Sequence, residues 1–136
     1  MKIQITATVS SDGYLLPSDR IESRWPFDRK YTLSALRRNA DILLRKNDSL
    51  LSLLAEKQKA CDASIYLAEA SPETADLIKG LLLYHLADEL IVYISPSEVG
   101  KGYAFFDLVD TKDWEMQVDH SLSKHTICRI YHHKRL

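Results

Sequence analysis

The chain is short of the features that mark specialised proteins. Only two cysteines occur in 136 residues, Cys61 and Cys128. They lie far apart, with no C-x-x-C and no cysteine–histidine cluster, so structural zinc is not supported. Buried thiols in a reducing compartment are the expectation, with a single disulfide as the alternative. Charge of one sign is also missing: 18 Lys and Arg stand against 19 Asp and Glu, a net charge of −1. That balance gives no electrostatic basis for binding nucleic acid or an anionic membrane. No apolar run approaches the roughly 20 residues needed to cross a bilayer. The opening MKIQITATVS alternates polar and apolar residues, unlike the core of a signal peptide. A single cytoplasmic domain over residues 1–136 is expected, without repeats or low-complexity tracts.

What is present is an ordinary globular composition, 46% hydrophobic, sufficient for one core. Ile3, Ile5, Ala7 and Val9 alternate with polar residues, which predicts a strand with one apolar face. Ser11-Asp12-Gly13 then makes a turn. Residues 18–27 read as a loop carrying Trp25-Pro26-Phe27. Asp28 is the expected cap of a helix ending near Asn39, with Arg37 and Arg38 in its last turn. Residues 40–44 (ADILL) form a short strand. Asp48 is the expected cap of a second helix with Leu50, Leu51 and Leu54 inward. Residues 63–68 (ASIYLA) form a third strand, and Ser71-Pro72-Glu73 starts a helix whose buried face carries Ala75, Ile78, Leu82 and Leu86. Residues 90–94 (LIVYI) are a near-continuous β-branched and aromatic run, the mark of a central strand covered on both faces. A Pro/Gly turn at 96–102 follows. Residues 114–118 and 126–131 close the chain as an antiparallel hairpin. The order predicts an α/β fold in three layers: a largely parallel sheet, helices on both faces, and a C-terminal antiparallel hairpin.

Several of these residues, taken in order, resemble one family. Ala7, Ser11 and Asp12-Gly13 at the first strand, Leu86-Ala87-Asp88-Glu89-Leu90, Tyr93-Ile94, Pro96, Gly100-Lys101-Gly102 and Phe105-Phe106 are similar to the dihydrofolate-reductase-like group. The reductase domain of the bifunctional riboflavin-biosynthesis deaminase-reductase is the nearest pattern. The resemblance implies hydride transfer from NADPH to a pterin-like or ribosylamino-pyrimidine substrate. It implies Asp12 as a substrate contact and Trp25 as a flank to the substrate ring. Ser71, Thr74 and Arg45 would then face the cofactor phosphates.

Each assignment has a plainer competitor. Asp12 also suits an ordinary Asp-Gly turn, Trp25 a plug over the core, and Arg45 a solvated strand end. The related enzymes carry a Glu-Gly-Gly after the third strand, which lets bare backbone approach a dinucleotide phosphate. Here Glu69 is followed by Ala70-Ser71-Pro72. A shortened relative that has lost the cofactor, and acts as a small-ligand binder or an oligomerising protein, is therefore the second expectation. His132 and His133 should point to opposite faces of a strand, as should Asp88 and Glu89, so neither pair forms a local metal site or an acid–base couple. The open edge of the closing hairpin suggests a homodimer.

Overall fold

Two parallel strands at the centre of a sheet organise the molecule. The structure, a computed structural model, describes residues 1–16, 33–59, 63–96, 98–109, 111–121 and 127–134. The expectations that fell on Trp25, the Asp28 cap and Cys61 lie outside the described residues. Six strands are present: β1 Lys2–Val9, β2 Ile42–Leu43, β3 Ile65–Glu69, β4 Glu89–Ile94, β5 Trp114–Ser121 and β6 Ile127–His133. Helices α1 Leu33–Asn39, α2 Leu50–Gln58 and α3 Ala75–Leu83 connect the first four. The sheet order is β2-β3-β1-β4-β6-β5. β2, β3, β1 and β4 pair in parallel, while β6 runs antiparallel to β4 and pairs with β5 as a hairpin. This is the expected α/β order.

Two buried clusters show how the layers form. On one face Ile3, Ile5, Ala7, Val9, Leu90 and Val92 pack against Leu53 of α2 and Leu77, Ile78 and Leu81 of α3. On the other, Leu67, Ile91, Tyr93, Cys128 and Ile130 pack with Leu36 of α1. β4 is thus buried on both sides, as its unbroken apolar run requires. β1 departs from expectation, because Gln4, Thr6 and Thr8 are buried as well as its apolar residues. A polar face can go inside when its groups find partners: Gln4 Nε2 donates to Glu89 Oε1 at 2.8 Å.

α2 begins one residue later than expected. Ser49, not Asp48, is its cap, accepting the Ser52 amide at 3.2 Å. Asp48 is used in a preceding turn, where its carboxylate takes the Arg45 amide at 2.6 Å. The shift in phase turns Leu53 inward and leaves Leu51 79% exposed. Leu50 instead abuts Gly80 of α3, where an added Cβ would fall 2.3 Å from Leu50 Cδ1. The glycine therefore sets how closely the two helices approach.

α3 ends in a Schellman arrangement: the Leu86 amide donates to Leu81 O at 2.9 Å and the His85 amide to Leu82 O at 3.3 Å. The left-handed position that usually takes glycine is held by His85, with φ of 55°. The following bend leads to Asp88. Its backbone amide donates to Ile3 O at 2.8 Å, and its Oδ2 accepts the Ile3 amide at 2.8 Å. Lys57 of α2 reaches both carboxylate oxygens at 2.8 Å.

Two stability measurements check this account. Asp88→Ala removes the acceptor of a strand amide and an ammonium, and should cost about 2 kcal/mol in denaturant unfolding, discounted for its partial exposure; a loss below about 0.5 kcal/mol would contradict the clamp. His85→Gly relieves the left-handed strain and should add about 1 kcal/mol, roughly 4 °C in Tm.

Candidate functional site

The topology selects one place for a ligand. The connection leaving β1 leads to α1 on one face of the sheet, whereas that leaving the adjacent β3 leads to α3 on the other. Neighbouring strands whose connections diverge leave a crevice beyond their carboxyl ends, where open α/β sheets take ligands. Residues 10–13 after β1, residues 69–74 after β3 and the turn after β4 surround it, with the Ala70 amide tied to Thr6 O at 2.7 Å.

Asp12 stands at this edge with its carboxylate already engaged. It accepts the Gly100 amide at 2.8 Å, the Val99 amide at 3.4 Å and the Ser10 hydroxyl. Ser10 Oγ in turn accepts the Tyr14 amide at 3.0 Å. Asp12 therefore pins the turn after β4 to the turn after β1. Gly100 supplies the left-handed backbone, φ 71°, that presents its amide there. The Ser10 hydrogen bond leads the contributions that hold the Asp12 carboxyl below its ordinary value of 3.8.

Ser71 and Thr74 meet at the start of α3. The Ser71 amide donates to Thr74 Oγ1 at 2.9 Å, and the Thr74 amide lies 3.3 Å from Ser71 Oγ. The Thr74 hydroxyl also donates to Glu69 O at 2.8 Å. The two side chains cap the turn reciprocally and leave Thr74 as the helix cap residue. A dinucleotide phosphate fits this helix end by the chemistry of its hydroxyls. It would have to displace the Ser71–Thr74 pair and approach the acidic first-turn residue Asp76. Ala70 is buried with its methyl in the core, so the backbone here is not bare.

Arg45 is exposed after β2, and what the structure gives it is the backbone turn with Asp48. The residue that spacing did not single out is Arg37. From α1 it grips Glu69 in a bidentate pair, Nε to Oε2 at 2.9 Å and Nη2 to Oε1 at 2.6 Å. That pair raises the Arg37 pKa and offsets the carboxylate next to the crevice. Its two members lie 32 positions apart, and no local signal in the sequence links them. Beside them Tyr93, in register with Thr8, is buried; burial first, then the nearby Cys128 and Glu69, pushes its phenol pKa up.

No protein-family model matches the sequence, and no curated protein matches it either. Solved structures do. A protein of Shewanella sp. PV-4 assigned to riboflavin biosynthesis superimposes with a TM-score of 0.69 at 16% identity, over 99% of this chain and 100% of that one. A dihydrofolate reductase from Enterococcus faecalis, complexed with NADP(H) and a second ligand, gives 0.60 at 14% identity, over 98% and 97%. A riboflavin biosynthesis reductase from Saccharomyces cerevisiae gives 0.54 at 10%, over 98% and 89%. The chain has the dihydrofolate-reductase-like α/β fold. Among its described residues no helix is long and apolar enough to cross a membrane.

The Asp12 contacts predict a pH signature. Because its folded pKa is lowered, its contribution to stability is present above 3.8 and is lost as the pH falls through the folded value. Asp12→Asn should therefore lower Tm at neutral pH, and the gap to the parent should close in strong acid. A gap that persists below the folded value would exclude the carboxylate as its source.

Proposed function

We propose that this chain is a reductase that takes hydride from NADPH to reduce a pterin-like or ribosylamino-pyrimidine compound, bound at the crevice between β1 and β3. The observation that carries this reading is the match across 98% of this chain to a dihydrofolate reductase complexed with NADP(H), taken together with the crevice position that the sheet order dictates. NADPH would supply the hydride, and the protein would bind and orient the partners. Ser71 and Thr74, with the α3 amides, would meet the cofactor phosphate, and Arg45 would add charge from the neighbouring loop. Asp12 would face the amino-pyrimidine edge, after yielding one oxygen from its turn amides, and Trp25 would flank the ring. The protein would work in the cytoplasm, with a second copy covering the outer edge of β5, where Glu115, Met116 and Gln117 are exposed.

One observation favours a second reading. The Ser71–Thr74 pair satisfies itself, and Ala70 fills the space that a glycine would leave open. A relative relieved of cofactor binding, retained as a small-ligand binder or an assembling subunit, would look the same at this turn.

Titration of the full chain with NADPH, followed by nicotinamide fluorescence, separates the two. Saturable binding in the micromolar range, weakened about tenfold by Thr74→Val, is the outcome expected of the reductase. Absence of saturation at millimolar NADPH would leave the second reading standing alone.

A further inference from the structure

The opposite end of the sheet holds a cavity that the reductase reading does not use. It measures about 630 Å3 and is lined by Lys2, Lys57, His85, Asp88, Glu89 and His132, among others. These residues belong to the amino ends of β1 and β4, the carboxyl end of β6, and the ends of α2 and α3. Eight residues of β1 separate it from the crevice, about 25 Å at the rise of a strand. The volume suits a small metabolite.

The charges in this cavity are not evenly committed. Glu89 is 2% exposed, and its carboxylate is fully engaged: Oε1 takes Gln4 Nε2 at 2.8 Å, while Oε2 meets His132 Nε2 at 2.7 Å and Lys2 Nζ at 3.6 Å. Asp88 is equally occupied, between the Ile3 amide and Lys57. Lys57 spends its remaining donor on Leu86 O. Lys57 thus balances Asp88, and Lys2 is the ammonium nearest Glu89. What else faces the cavity is hydrogen-bonding. The Lys2 ammonium is half exposed and only loosely paired. A carboxylate only accepts, so His132 Nε2 donates to Glu89, and an anionic ligand would be met by Nδ1–H of the imidazolium, the second proton being taken up on binding. His85 projects from a strained left-handed position. His133, stacked edge-on between His85 and Trp114, has a buried Nε2 without a hydrogen-bond partner among the described residues. A strained backbone position beside a cavity is a feature that structures retain at functional sites.

We propose that this cavity is a second ligand site, taking the phosphate or carboxylate group of a small acidic molecule between Lys2, His132 and His85. Glu89 is a positioning residue here: through Nε2 it holds the His132 ring at the cavity wall, and its carboxylate balances the charge the ring takes up with the ligand. The site is independent of the crevice, and its test does not depend on NADPH binding.

Inorganic phosphate titrated into the full chain, against sodium chloride at matched ionic strength, provides the test. The readout is the imidazole C2–H resonances of the five histidines. Saturable shifts of His85 and His132 are expected. Lys2→Gln and His132→Gln should each weaken the apparent affinity about tenfold, as for the loss of one charge-assisted hydrogen bond. Lys2 is on the surface, so its variant keeps the test decisive if the His132 variant folds poorly. Shifts no larger than those with chloride would overturn the proposal, as would shifts that Lys2→Gln leaves unchanged.

Discussion

The structure hangs on what happens at Asp88. Its backbone extends the β1–β4 ladder by one residue, its carboxylate closes the first amide of the β1 core, and its charge draws Lys57 and hence α2 down over that end. The His133 amide donates to Asp88 O at 3.2 Å, so the closing hairpin is tied to the same residue. A parallel pair buried on both faces has no water with which to satisfy stray donors. A single side chain that serves β1, β4 and α2 while its carbonyl holds β6 is a solution that keeps the amino end of the sheet in register. Glu89, one residue on, must point to the other face, and there it performs a comparable service for Gln4 and His132.

With the amino end fixed in this way, the carboxyl end is left to loops. There the same need for partners is met differently. Asp12 joins two turns through backbone amides, and Ser71 and Thr74 cap each other. Arg37 reaches from α1 to Glu69 and so ties that helix to the end of β3 at the crevice. Every one of these contacts makes the crevice rim more self-sufficient than a glycine-lined rim would be. A ligand binding here has to exchange internal hydrogen bonds for its own, and each exchange returns little net free energy, of the order of 1 kcal/mol or less. Affinity at such a site rests on stacking and burial more than on phosphate contacts.

Much of the framework was legible in the sequence because it depends on local chemistry. The apolar run of β4 and the alternation of β1 report directly on burial, whereas Ser71-Pro72-Glu73 marked only the turn before α3, whose cap is Thr74 and whose first residue is Ala75. The resemblance to the reductase group was carried by the same stretches, and the fold agrees. What was not legible depended on contacts between distant segments. Nothing in KIQITATV says that Thr6 and Thr8 will be covered, since that depends on α1 and β6. The choice of Ser49 over Asp48 as cap turned on a competing turn at Arg45, and one residue of phase then exchanged Leu53 for Leu51. Arg37 looked like a dipole partner at a helix end, and its ion pair with Glu69 needs the sheet to exist first. Asp12 was noticed as a carboxylate, yet its partners 87 and 88 residues away could not be read from an Asp-Gly turn.

The two ends of the sheet differ in how their polar groups are settled, and that difference bears on where the chain has room to change. At the amino end the carboxylates are locked by residues of the core strands themselves, and altering them disturbs the ladder. At the carboxyl end the locking residues sit in turns, so substitutions such as alanine and serine in place of glycine can accumulate without touching the strands. A fold can therefore keep its sheet order at 16% identity or less while its crevice rim is rebuilt. The turn after β3 satisfies its own donors, whereas His85 holds a left-handed conformation that glycine would hold more easily. Stability alone favours the first arrangement and opposes the second. The strain at His85 stands beside the cavity at the amino end of the sheet, where a ligand would give it a use.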